Sequence, residues 1–354
     1  MIQDSLLLSF LSTFAFFSFF ITLIISKITN KEKSSFLLDQ DYTKPQSFHF
    51  ESVPRSGGLA GIILLSIFFI GCYFVYEKLF LVYFFLSFGL FSLGFLDDIK
   101  IKIRPNIRLL LMVLILLICI IFFSIEIVKV ELSFLNLLLE NKFFHICFVL
   151  LCFLFVINGS NLIDGFNGLL VFQLIIINFI LLLINTTNGH SEISLIITGQ
   201  IIVLFSFLLF NFPQSKIFMG DGGAYFYGGL VAFNTIVTNN LNPDISSFFF
   251  CTILFYLFFE VFFSFFRKLY FKKSPLKPDN SHLHMLVYKL FKKKNFLEKS
   301  NFLTSVSINL LYLVAIIPSY YLKEIGIFCK VWFAVLICLY VIFYISLNNY
   351  LKKK

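Results

Sequence analysis

The chain has 354 residues, of which 59% are hydrophobic and only 13% charged, with a formal net charge of +9 and 53 phenylalanines. Soluble domains carry about a quarter charged residues and about half apolar ones, so a soluble enzyme, a disordered tail and a fibrous repeat are excluded. What remains is an all-α integral membrane protein with many spans.

A helix needs about 20 apolar residues to cross the hydrocarbon core, and lipid offers the backbone no polar partner outside the helix itself. In chain order such runs fall at 6–26, 57–75, 79–96, 109–128, 143–158, 168–185, 193–210, 224–240, 245–266, 303–321 and 327–347. About eleven transmembrane helices are therefore expected, with Tyr76, Glu77 and Lys78 separating the second from the third. The first run follows neither a basic segment nor a small-residue cleavage site, so it reads as a retained span rather than a signal peptide. The seven cysteines lie in apolar runs without CxxC spacing and read as small core residues.

Lys and Arg set the orientation. With the N-terminus outside and the C-terminus cytoplasmic, 23 of the 28 basic residues fall in inside segments, ten of them at 267–302. The outside or the spans then hold only Lys78, Lys129, Lys142, Lys323 and Lys330. No repeat and no second soluble domain is visible. Residues 1–354 read as one polytopic domain with cytoplasmic loops at 27–56, 97–108, 158–168, 211–223 and 267–302.

Acidic groups are costly near a bilayer, so their positions are informative. Asp97 and Asp98 close the third span, followed by Lys100, Lys102, Arg104 and Arg108. Adjacent carboxylates repel and need a cation or a retained proton; a solvated helix end is the plainer alternative. Next, Asn158, Asn161, Asp164 and Asn167 recur near the helical period and line up oxygen-bearing side chains along one stripe. A helix cap would need fewer. Asp221 stands among Gly220, Gly222 and Gly223 after Lys216, where it fits a divalent-ion ligand beside backbone N–H groups open to phosphate. A glycine-rich turn is the alternative there. His282 and His284 lie in the basic loop, with no cysteine nearby and no third histidine, which suits an anionic ligand better than zinc.

Oxygen ligands without cysteine suit Mg²⁺ or Mn²⁺, which is commonly held by one or two carboxylates plus substrate phosphates. From the residues alone the expectation is a metal-dependent enzyme acting on a phosphate ester at the inner membrane face. A transporter of a phosphorylated lipid or nucleotide is the rival class. Transporter sites usually lie near the midplane between repeated halves, whereas these clusters gather at one face.

The motifs, in order, are Pro54-Arg55-Ser56-Gly57-Gly58, Asp97-Asp98, Asn158 to Leu169, Lys216 to Asp221, Glu260 with Arg267-Lys268, and Ser274 to His284. With them the chain resembles the polyprenyl-phosphate N-acetylhexosamine-1-phosphate transferases of the MraY-like superfamily, in particular their WecA-like branch. The resemblance covers nearly the whole chain. It implies Mg²⁺-dependent transfer of sugar-1-phosphate from a UDP-N-acetylhexosamine to undecaprenyl phosphate, releasing UMP, in the bacterial inner membrane at the start of an O-antigen or similar glycan. It implies Asn161 and Asp221 as metal ligands, and Asp97, Asp98 and Asp164 as the catalytic carboxylates. Asn158, Asn167, Lys216, Arg108, Arg267, His282 and His284 become substrate-binding residues, Asn167 reading the uracil and Arg108 facing the lipid phosphate. Met285 stands where the family often has a further histidine, and Asn167 where many members have Asp. The denser histidine run of the peptidoglycan-precursor branch is absent, which favours a plain sugar-nucleotide donor over the muramoyl-pentapeptide one. Membrane lipids and a homodimer are compatible partners; nucleic acid is not expected.

Overall fold

The computed structural model describes residues 2–31, 37–39, 52–101, 103–274, 279–294, 296 and 299–353. Most of the expected loop 27–56, Lys102 and residues 275–278 of the basic loop lie outside the described residues. The helices are α1 (Ile2–Lys31), α2 (Gly57–Tyr76), α3 (Leu81–Asp98), α4 (Pro105–Phe122), α5 (Ser133–Leu139), α6 (Lys142–Ile163) and α7 (Leu169–Thr187). They continue with α8 (Ser191–Asn211), α9 (Gly220–Leu241), α10 (Ser247–Ile253), α11 (Phe255–Tyr270), α12 (Leu283–Lys293), α13 (Ser300–Tyr321) and α14 (Gly326–Lys352). Two short strands, β1 (Leu38–Asp39) and β2 (Val53–Pro54), pair antiparallel just before α2.

Among the described residues nine helices are long and apolar enough to cross a membrane, and the bent pair α10–α11 would make a tenth. The chain is an integral membrane protein. Each expected run coincides with a helix, but two differ from a simple span. The run 245–266 breaks at Leu254, where α10 and α11 meet at 77°. No Pro or Gly causes this bend. The Tyr312 hydroxyl of α13 donates to the Ile253 carbonyl at the break, so a distant side chain satisfies a backbone group that the bend exposes.

The run 224–240 forms α9, whose composition falls short of a lipid-facing helix. It carries Asn234, Thr235, Thr238, Asn239 and Asn240, and 18 of its 22 residues are buried. α9 packs against α2, α3, α6 and α7. A helix walled in by other helices can be polar wherever its polar atoms find partners. Asn234 Nδ2 donates to Asn178 Oδ1 of α7 at 3.0 Å and to Gln200 Oε1 of α8 at 2.8 Å. Close to its start α9 meets α3 at Gly94, where an added Cβ would lie 2.5 Å from the Asp221 carbonyl.

α9 runs between two distinct ends of the bundle. Its first residues meet the C-terminus of α3, while Asn240 near its end donates to the Glu126 carbonyl beyond α4. At the first end the α2 N-terminus joins in, Gly57 and Gly58 donating to the Phe218 and Met219 carbonyls at 2.9 and 2.8 Å. Asn30, at the end of α1, donates to the Lys216 carbonyl at 3.0 Å. Most of the predicted loops therefore converge on one end.

Candidate functional site at the carboxylate-rich end of the bundle

Asp97 and Asp98 are successive residues of one helix, so their side chains diverge by about 100°. Asp98 turns inward and is 3% exposed. Its Oδ1 accepts the Asp221 N–H and its Oδ2 the Gly222 N–H, each at 2.9 Å. These N–H groups open α9 and have no carbonyl partner within the helix, so Asp98 fills an anion site at a helix start. Gly220 makes the approach feasible. Its φ is +77°, and a Cβ there would sit 2.7 Å from Asp98 Oδ2.

Asp97 turns the other way and pairs with Arg108 of α4. Arg108 Nη1 also reaches Asp221 Oδ2 at 3.4 Å, and its guanidinium lies 5.9 Å from the Tyr225 ring centre. Arg55 Nη1 stands 3.6 Å from Asp98 Oδ1 and 3.9 Å from Asp221 Oδ1. Asp221, Arg55 and Arg108 remain 21–29% exposed. Two guanidinium groups and a carboxylate thus border the open side of the cluster.

Asp164 caps the C-terminus of α6. Desolvation first, then the negative charge of Asp221, raise its carboxyl well above the usual range, with Asp98 adding to the push. Arg55 and the Gly220 N–H act in the opposite direction. Such a concentration of negative charge fits a divalent cation, and the donors at hand are hard oxygens. Asn161 is half-buried one helical turn before Asp164. Among the described residues no three His, Cys, Asp or Glu converge as a closed cage. The donor set fits a metal whose coordination is completed by a phosphorylated substrate.

The remaining predicted residues divide. Asn158 turns back along α6, donating to the Leu154 carbonyl at 2.7 Å. Asn167 is built into the same end: its N–H donates to Asn301 Oδ1 at 2.8 Å and its Nδ2 to the Pro213 carbonyl at 2.9 Å. Lys216 is exposed.

The histidine loop forms a second, inward-facing cluster. His282 and His284 are 2% and 1% exposed despite their place in a basic loop. His282 Nδ1 lies 3.0 Å from Glu260 Oε1, and Tyr256 is 3.2 Å from His284 Nδ1. Arg267 Nη2 donates to both Asp279 oxygens, at 3.2 and 3.0 Å. Burial works to raise Asp279, but the Ser281 N–H, His282, Arg267 and Lys268 together hold it below the usual carboxylate range. Phe166, between Asp164 and Asn167, packs edge-on to His284 with ring centres 5.5 Å apart, which joins the two clusters. Arg55, Glu260, Tyr225 and Tyr340 take part without having been singled out. Arg55 and Glu260 lay inside recognised motifs, whereas nothing local marked the two tyrosines.

The fold is that of an apolar membrane-protein helix bundle with carboxylates and arginines gathered at one end. A family model described as glycosyl transferase family 4 matches residues 80–239. A Thermotoga maritima protein named undecaprenyl-phosphate alpha-N-acetylglucosaminyl 1-phosphate transferase is 29% identical over 273 residues, 76% of this chain and 78% of that protein. A Dictyoglomus turgidum protein named phospho-N-acetylmuramoyl-pentapeptide-transferase is 31% identical over 235 residues, 64% of this chain and 73% of that one. The chain belongs to glycosyl transferase family 4, and membership of a transferase family sets the transporter alternative aside.

Proposed function

We propose that the protein transfers N-acetylhexosamine-1-phosphate from a UDP-sugar to undecaprenyl phosphate, releasing UMP, at the cytoplasmic face of a bacterial plasma membrane. The observation that carries this reading is the convergence of Asp97, Asp98, Asp164 and Asp221 with Arg55 and Arg108 at one end of an apolar bundle. That end suits a reaction between two anions, one of them anchored in lipid. The inside orientation of this end rests on the Lys and Arg distribution.

The chemistry is a direct displacement. An oxygen of the lipid phosphate attacks the sugar-linked phosphorus of the donor; a P–O bond forms as the P–O bond to UMP breaks, and UMP leaves with that electron pair. Arg108 and Arg55 offset the repulsion between incoming and leaving phosphates. Asp97, on the open side, holds Arg108 toward the cluster. Asp221 and Asn161 would hold Mg²⁺, or Mn²⁺, which supplies charge neutralisation on the donor diphosphate. Asn167 and Lys216 border the donor, and Asp164 stands between the metal ligands and the turn that carries Asn167.

The test is UMP release from purified protein with undecaprenyl phosphate, Mg²⁺ and a panel of UDP-sugars that includes UDP-N-acetylmuramoyl-pentapeptide. Release with a UDP-N-acetylhexosamine and none with the pentapeptide donor supports the reading; the reverse pattern moves the protein to the peptidoglycan branch. Asp221→Asn should lower turnover at limiting Mg²⁺ by at least about a hundredfold, since an amide is a poorer Mg²⁺ ligand than a carboxylate. Asp244→Asn, on a turn at the other end, serves as the silent control.

A further inference from the structure

At the end of the bundle away from the carboxylate cluster, α3, α8 and α9 part around a cavity of about 470 Å³. Its wall is made of apolar stripes at the helical period, Ile193 and Ile196 of α8 and Phe233, Val237 and Leu241 of α9. From Leu241 back to Phe233 the α9 side runs about 12 Å along the helix. Tyr83 of α3 meets Phe233 edge-on, with ring centres 4.9 Å apart. The mouth has a different chemistry. His190 and Glu192 line it at the start of α8, and Glu192 pairs with Lys78 in the turn between α2 and α3. α2 ends at Tyr76, α3 begins at Leu81, α8 begins at Ser191 and α9 ends at Leu241. The charged rim therefore stands where spans leave the hydrocarbon core, and the apolar wall stands at acyl-chain depth. Tyr73, exposed in the last turn of α2, fits the same interfacial level.

We propose that this cavity holds an acyl chain of a zwitterionic phospholipid whose ammonium and phosphate meet Glu192 and Lys78. The site is separate from the transferase centre and does not depend on that reading. With the carboxylate end inside, the lipid belongs to the outer leaflet. An occupant at this depth must be apolar below and charged above, as a membrane lipid is. The volume lies within the range of ligand pockets, about 300–1,000 Å³. It would admit little more than one turn of a helix about 10 Å across, so a protein segment fits poorly and a hydrocarbon chain fits well. Charge then selects the headgroup. A carboxylate beside an ammonium complements a headgroup that carries both signs, whereas an anionic headgroup leaves Glu192 facing a phosphate. The Lys78 and Glu192 side chains are 46% and 64% exposed, and so exposed a pair is weak and parts readily for a ligand. His190 carries an N–H in either protonation state and adds a donor for the phosphate.

The experiment uses the full chain in lipid nanodiscs and two photoreactive probes, a phosphatidylethanolamine and a phosphatidylglycerol, each with a diazirine midway along one acyl chain. Each probe is added at the same low mole fraction, and adducts are mapped by mass spectrometry after illumination. The ethanolamine probe should label the segments 193–196 and 233–241 at least about threefold more than the glycerol probe. Val335 and Leu339, exposed on α14, should take both probes equally and serve as the internal reference for bulk lipid. Val237→Trp fills the cavity and should cut labelling of 193–196 at least about fivefold, with the α14 reference unchanged. Glu192→Gln, a change at an exposed site, should keep the chain labelling and lose the preference for ethanolamine. Equal labelling of the two segments by both probes in the native protein, at the level seen on α14, means bulk lipid only and overturns the proposal. Labelling that survives Val237→Trp in a protein that melts like the native one overturns the cavity as the site. Where that variant does not fold, Glu192→Gln decides: a preference that persists without the carboxylate overturns the headgroup assignment.

Discussion

Asp98 and Asp97 differ by one position and are predicted to fail in different ways. Asp98→Asn removes the charge from a buried oxygen pair that receives two N–H groups of α9 at 2.9 Å. A hydrogen bond to a charged group contributes about 1.5–3 kcal/mol, and Asn keeps one acceptor while turning an NH₂ toward the other N–H. Loss of the negative charge at a helix start costs a further amount on the order of 1 kcal/mol. The Arg55 contact, at 3.6 Å and partly exposed, adds little. The expected destabilisation is about 3 kcal/mol, a fall of about 6 °C in melting temperature at the shallow slope of large proteins. Asp97→Asn should melt within about 2 °C of the native protein, because its pair with Arg108 is partly exposed, while losing at least about tenfold in turnover. The assay is thermal unfolding in nanodiscs beside UMP release for each variant. An Asp98→Asn protein that melts with the wild type and loses only turnover would refute the assignment of Asp98 to the helix start.

Gly220→Ala should lower the melting temperature and turnover together, because φ of +77° strains an L residue by about 1–2 kcal/mol and the new methyl meets the Asp98 carboxylate. A variant as active as the native protein would contradict the close packing seen there. His284 has a depressed folded value of about 3, so the folded state binds fewer protons than the unfolded state between about pH 6.5 and pH 3. Its contribution is complete above that window and is lost on acidification, at up to about 1.4 kcal/mol per pH unit. Melting curves at pH 7 and pH 5 should therefore diverge more for the native protein than for His284→Leu; equal divergence would refute it. Asn234→Leu leaves Asn178 and Gln200 without their shared donor and should cost about 2 kcal/mol or more, measured as loss of the folded fraction in nanodiscs.

The lipid-facing part of the fold was legible because a span is a local property: each apolar run became a helix. The break at Leu254 was not, since its partner Tyr312 lies 58 residues further on and the local sequence has no helix breaker. The clusters were legible as chemistry and not as geometry. Sequence offers no way to tell which of Asp97 and Asp98 faces α9, as this depends on how α3 is rotated against a helix more than a hundred residues away. Likewise the basic loop around His282 and His284 suggested an anionic ligand and gave no sign of burial, while Glu260 and Tyr256, both on α11, meet the two imidazoles inside the protein.

The polar character of α9 carries a consequence for biogenesis. Its amide and hydroxyl groups make it a poor candidate for partitioning into lipid on its own. The helices that supply most of its packing, α2, α3, α6 and α7, all precede it in the chain, while α8 before it and α10 after it touch it less. A protein made from its N-terminus outward therefore completes most of the walls of this chamber before the ribosome delivers the helix that fills it. The linear order of the sequence doubles as an assembly schedule, and moving α9 earlier by circular permutation would ask the membrane to accept a segment it has little reason to hold.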